Sequence, residues 1–125
     1  MKKLVRDKIV DNILKEGGKV DSNTLNDEQF VEELKKKLQE ELDELMKVKY
    51  CDKKNLINEI SDIQLLINYL LKVLEISKEE LDKKQAEKAI KAGSFDKRIF
   101  VETVTLQNND EWIEYYQEKG FEEVI

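Results

Sequence analysis

The chain has 125 residues, enough for one domain with a real core. Charged residues make up 40% of it and the net charge is −6, which argues against a nucleic-acid surface and against adsorption to anionic membranes. Histidine is absent, so a His-based zinc site, a Ser/His triad and a His general base are excluded.

The single cysteine, Cys51, has no internal disulfide partner and no histidine beside it, and reads as a bystander. No apolar run approaches the ~20 residues of a membrane span. The opening MKKLVRDKIV is too short and too charged for a signal peptide. The expected location is a reducing cytoplasm.

Proline is absent, and the four glycines (Gly17, Gly18, Gly93 and Gly120) punctuate the chain. A first helix is expected from about Asp7 to Glu16, stopped by Gly17-Gly18. Residues 19–25 read as loop. Asn26 with Gln29 makes a capping box, and the second helix runs from there to about Lys49. Asp52 can cap a third helix reaching about Glu75. Ser77 with Glu80 forms another box and starts a fourth, ending near Gly93. Residues 98–106, RIFVETVTL, are rich in β-branched side chains and suggest a short strand or extended arm. Asn108 with Glu111 introduces a short last helix, DEWIEYYQEK, before Gly120. The final FEEVI could pair with 98–106. The expected architecture is all-α: a single domain built as a bundle of four to five helices, with a core over about 2–102 and an appendage over about 103–125.

Four carboxylates stand out: Glu41, Glu44, Glu59 and Asp62. They form two i, i+3 pairs with fourteen residues between Glu44 and Glu59. Residues three apart share a helix face. On the second helix Phe30, Leu34, Leu38, Leu42, Leu45 and Val48 form an apolar arc of roughly 120°; Glu41 falls inside it and Glu44 about 40° outside its edge. On the third, Ile60, Ile63, Leu66, Ile67, Leu70, Val73 and Leu74 form the arc, with Glu59 inside and Asp62 at the margin. Carboxylates are rarely buried unless paired or bound to metal. Two such pairs on antiparallel helices would converge and repel unless a cation sat between them. A hard ion such as Mg²⁺, often bound together with substrate phosphates, suits that donor set.

E-x-x-E followed by E-x-x-D on two long helices resembles the all-alpha nucleoside triphosphate pyrophosphatases, the MazG-like superfamily. Three further stretches carry the resemblance. KLVRDKI is similar to the opening of a small house-cleaning subgroup. EELKKKLQEELDEL resembles its metal helix, and KKQAEKAIKAGSFDKRIFVE its closing segment, K-x-x-x-x-G-G-F-x-x-R-I. Together they cover residues 2–16 and 30–102. Two positions depart from the pattern: Val10 stands where Pro usually follows RDKI, and Ser94 replaces the second glycine before Phe95. Serine tolerates positive φ worse than glycine, so the second departure bears on a phosphate-binding turn.

The resemblance implies Mg²⁺-dependent hydrolysis of a nucleoside triphosphate to monophosphate and pyrophosphate, with Mn²⁺ as a possible substitute. It implies Glu41, Glu44, Glu59 and Asp62 as the metal ligands and a homodimer or homotetramer. Glu44, at the edge of its arc, is the candidate general base. A triphosphate needs more positive charge than one metal ion supplies. Arg98 is the best candidate, since a guanidinium fork matches phosphate and the family motif has Arg there. Arg6, Lys8, Lys88 and Lys91 follow. Lys37 and Lys97 read more simply as solvated surface charges, and Tyr69, which could stack on a base, as core. Phe95 reads as an anchor for the turn before Arg98, and Trp112, Tyr115 and Tyr116 as packing residues.

Two other functions compete. Phosphoribosyl-ATP could be the substrate within the same superfamily. Alternatively, the helices form a non-catalytic interaction module and the acids are surface decoration, paired with Lys36, Lys37 or Lys47. A pure interaction helix has no reason to set Glu41 and Glu59 inside its apolar stripe.

Overall fold

The computed structural model describes residues 2–105, 114, 115 and 117–120. The described elements are four helices: α1 (Asp7–Lys15), α2 (Asp27–Lys47), α3 (Lys53–Val73) and α4 (Lys78–Ala92). The fold is all-α, with no strand among the described residues. No helix of the described residues is long and apolar enough to cross a membrane.

Local sequence sets the helix ends. Asn26 Oδ1 accepts the Gln29 N–H at 2.9 Å, and Gln29 Oε1 accepts the Asn26 N–H at 3.2 Å. Each helix start leaves its first N–H groups without partners, and this reciprocal pair satisfies two of them. Ser77 and Glu80 repeat the arrangement before α4, at 3.1 and 2.8 Å. Asp52 caps α3 through the Asn55 N–H at 3.3 Å.

Two helices end in the same paired pattern. After α1, the Gly18 N–H donates to the Ile13 carbonyl at 2.9 Å and the Gly17 N–H to that of Leu14 at 3.1 Å. Gly17 takes φ +84° there. After α3, the Ile76 N–H donates to Leu71 and the Glu75 N–H to Lys72. The left-handed position is now Glu75, at φ +55°, where no glycine marks the stop.

The chain divides into two units, Met1–Gln85 and Ala86–Ile125. The division falls within α4, upstream of the boundary near residue 102 expected from the sequence. In the first unit α2 and α3 are the packed pair, and no other pair of described helices packs. They run antiparallel: Phe30 at the start of α2 meets Tyr69 near the end of α3, with ring centroids 6.3 Å apart and planes at 71°. Leu34 on α2 is 1% exposed and Leu66 on α3 is 8% exposed; they are the only buried hydrophobic side chains among the described residues. The remaining apolar arcs stay partly open. Leu42, Met46, Ile57, Ile60 and Leu74 are all exposed.

The second unit holds the end of α4, which stops at Gly93 (φ +86°) with its N–H on the Ala89 carbonyl at 2.8 Å. A turn follows, closed by the Arg98 N–H on the Phe95 carbonyl at 3.0 Å, with Arg98 itself at φ +53°. Ser94 is not among the positive-φ residues, so its replacement of glycine carries no backbone strain. Its Oγ accepts the Asp96 N–H at 3.3 Å. One expectation is corrected here. Phe95 is not a packed anchor: its ring is 96% exposed, and backbone and Ser94 hydrogen bonds hold the turn. Of the short strand or extended arm expected over 98–106, the described residues 98–105 form no strand; β-branched composition favours a pleated surface, but a strand also needs a neighbouring edge to bond. Part of the expected last helix is present, at residues 114, 115, 117 and 118, ahead of Gly120 at φ +95°. The Asn108–Glu111 box, Trp112, Tyr116 and the FEEVI pairing lie outside the described residues.

Candidate functional site

The antiparallel packing of α2 on α3 brings Glu41 level with Glu59 and Asp62. One carboxylate oxygen from each lies within 4.8 Å of the others, and all three side chains are half-buried. Each sits on or beside the stripe that buries Leu34 and Leu66. Hydrophobic packing therefore holds three negative groups together against their repulsion.

The electrostatic consequence appears at Glu41. Its carboxyl is raised from 4.5 to about 7. Burial against the neighbouring helix is the largest cause, followed by a hydrogen bond with Glu59 and the negative charges of Asp62 and Glu59. The Lys37 ammonium, one turn back on α2, opposes this. Glu59 Oε2 is buried and has no hydrogen-bond donor among the described residues. A proton shared with the Glu41 carboxyl, a water molecule or a cation can satisfy such an oxygen.

Arg6 approaches from the N-terminal segment. Its Nη2 donates to Asp62 Oδ1 at 3.0 Å. The arginine is largely solvent-exposed while Asp62 is mostly covered. Lys37, expected to be a plain surface charge, is mostly covered too and lies 4.0 Å from Glu40. Both cations and two of the clustered acids line a cleft of about 620 Å³, together with Phe30 and Tyr69. Tyr69 is therefore no simple core residue: 44% of it is exposed and it lines the cleft. Lys3 also lines the cleft and had no signal in the sequence, since only the path of the N-terminal segment brings it there.

Glu44 is the expected ligand that the structure does not bring in. It is exposed and pairs with Lys47 at 3.5 Å. Its position outside the apolar arc accounts for this. The expected phosphate ligands Lys88, Lys91 and Arg98 are exposed side chains of the second unit. Lys8 is exposed on α1 and does not line the cleft.

The donor set fits a hard divalent cation. All three groups are carboxylates, and no thiol or imidazole stands among them. Mg²⁺ or Mn²⁺ would be held by these oxygens and would offset the part of the Glu41 shift that comes from its acidic neighbours. No family model, curated protein or solved structure matches this chain.

Proposed function

We propose that this protein hydrolyses a nucleoside triphosphate to the monophosphate and pyrophosphate, as its resemblance to the MazG-like pyrophosphatases implies. One observation carries the reading: Glu41, Glu59 and Asp62 meet within 4.8 Å in a half-buried site, beside a cleft lined by Arg6 and Lys37. Acids for a cation and cations for an anion stand side by side, which suits a metal–phosphate complex better than either partner alone.

Glu41, Glu59 and Asp62 would hold Mg²⁺, with Mn²⁺ as a substitute. When bound, the ion polarises phosphoryl oxygens and lowers the pKa of water. The chain's own groups do the positioning, which is most of what phosphoryl chemistry requires. Lys37 and Arg6 take phosphate oxygens. The leucines of α2 and α3 wall off one side of the cleft from water and strengthen those charge interactions. Glu44 lies one turn beyond Glu41 on α2. Its part as fourth ligand or general base rests on the resemblance, as do the parts of Arg98, Lys88 and Lys91 on the triphosphate. We also place the protein in the cytoplasm, as a homo-oligomer. Among the described residues only Leu34 and Leu66 are buried hydrophobic side chains, which leaves wide apolar faces for a second copy.

The test is pyrophosphate release from a panel of standard and modified nucleoside triphosphates, with and without Mg²⁺, alongside Asp62→Asn. Metal-dependent release is expected, falling more than about tenfold in the variant, since even outer-shell partners of a metal ligand cost that much. If no triphosphate yields pyrophosphate, the hydrolase reading fails.

A further inference from the structure

Residues 2–6 help to wall the cleft without being built into the packed pair of helices. Among the described residues, no hydrogen bond joins their backbone to α2 or α3. The backbone bond at Arg6, from the Ile9 N–H at 3.1 Å, lies within the start of α1. α1 packs on no described helix, so it does not tether the segment either. Two side chains do the holding, one on each core helix. Arg6 donates to Asp62 of α3 at 3.0 Å, and Lys3 lies 3.8 Å from Glu40 of α2. Leu4 and Val5, between these two pins, line the cleft with them. Leu4 is half-buried and Val5 is exposed, so apolar burial supplies only part of the hold. A segment with few buried contacts and no backbone bonds to its support opens locally at low cost.

We propose that residues 2–6 are a strap, pinned to α2 by Lys3 and to α3 by Arg6, and that a divalent ion taken up by the clustered carboxylates opens it by drawing Asp62 away from Arg6. The trigger rests on the metal reading of Glu41, Glu59 and Asp62 given above; the strap does not. Exposed ion pairs hold weakly. A carboxylate that ligates a divalent ion has less charge left to offer a guanidinium. The strap supplies four of the residues that line the cleft, Lys3 to Arg6, so its release widens the cleft. Release also frees the Arg6 guanidinium for an incoming phosphate oxygen. Access is thereby ordered: the cation enters first and the anionic substrate second.

Trypsin reads the strap directly, because its specificity pocket must take up the Arg6 side chain before the chain is cut there. Cleavage of the full chain after Arg6 is followed by mass spectrometry. A free peptide of residues 1–10 corrects for any effect of the ion on the protease. When opening is fast compared with cutting, the rate follows the open fraction. In chelator, Glu40→Gln and Asp62→Ala should each speed the cut, by up to about fivefold, the worth of one exposed ion pair. Cleavage after Lys36 in α2 should not change, which separates strap opening from unfolding. Glu40 is exposed, so its variant removes a pin without disturbing the packed helices. Saturating Mn²⁺ should speed the wild-type cut by about the factor that Asp62→Ala does, and leave Asp62→Ala unmoved. Equal rates in chelator for wild type and both variants would overturn the strap. Mn²⁺ uptake seen by calorimetry, without faster cutting, would overturn the trigger and leave the metal reading standing. No Mn²⁺ uptake would sink the metal reading and the trigger together, while the variants in chelator still decide the strap.

Discussion

Arg6 Nη2 lies 3.0 Å from Asp62 Oδ1, so the N-terminal segment supplies a cation to one of the three clustered carboxylates. In the metal-free chain this guanidinium partly offsets the charge that a divalent ion would otherwise balance. A divalent ion bound at the cluster would therefore compete with Arg6 for Asp62.

Removing Arg6 should for that reason tighten metal binding. An exposed pair is worth up to ~1 kcal/mol, so Arg6→Ala should lower the Mn²⁺ or Mg²⁺ dissociation constant up to about fivefold in the absence of nucleotide. The same variant should raise KM for the triphosphate, because a phosphate ligand is lost. Titration monitored by Mn²⁺ resonance or calorimetry measures the first effect. Weaker metal binding in Arg6→Ala would show that Arg6 supports the cation site instead of competing with it.

Glu41 makes stability depend on pH in a stated direction. Its carboxyl titrates near 7 in the folded chain and near 4.5 when free of these neighbours. Between those values the folded state keeps a proton that the unfolded chain has released. The stabilisation is complete below about pH 4.5 and is lost as pH rises through about 7. Urea denaturation of wild type against Glu41→Gln should show a difference that grows from pH 5 to pH 8 in the variant's favour. Saturating Mg²⁺ should remove the loss in wild type, since the cation takes over the proton's role. A flat difference across that range would refute the coupling.

The exposed apolar faces of α2 and α3 predict self-association. Ile57 and Ile60 are 58% and 54% exposed on a helix whose one buried side chain is Leu66. Light scattering at micromolar concentration should give a dimer or tetramer mass, and Ile60→Lys should shift it toward monomer. A monomeric wild-type protein would refute homo-oligomerisation.

Glu75 occupies a position that glycine fills at little cost. Its φ of +55° places a side chain in the left-handed region after α3. A non-glycine residue there costs about 1 kcal/mol. Glu75→Gly should accordingly stabilise the fold by up to about that amount, less the extra freedom glycine brings to the unfolded chain. Denaturant midpoints compare the two proteins directly. A destabilised variant would mean that the Glu75 side chain makes a contact worth more than the strain.

The sequence by itself determined the helix starts and most of the stops, because those interactions span three to five residues. Asn26 with Gln29, Ser77 with Glu80, Gly17-Gly18 and Gly93 all act as read. The stop at Glu75–Ile76 shows the complement: its backbone bonds form without glycine, so the left-handed residue had no marker. Periodicity also put Glu41 and Glu59 inside apolar stripes and Glu44 outside one, which is where their burial leaves them. Which carboxylates meet was another matter. Helical spacing links Glu41 to Glu44 and Glu59 to Asp62, but only the antiparallel register of α2 on α3 joins Glu41 to Glu59 and Asp62 and leaves Glu44 with Lys47. The same register pairs Phe30 with Tyr69 across 39 positions of sequence. The path of residues 2–6, which no local rule specifies, carries Arg6 to Asp62. Residues 98–105 look like a strand by composition and form none, because a strand is completed by a neighbour and a helix by itself. Local hydrogen bonding is written in adjacent residues; convergence of charge and shape is a property of packing.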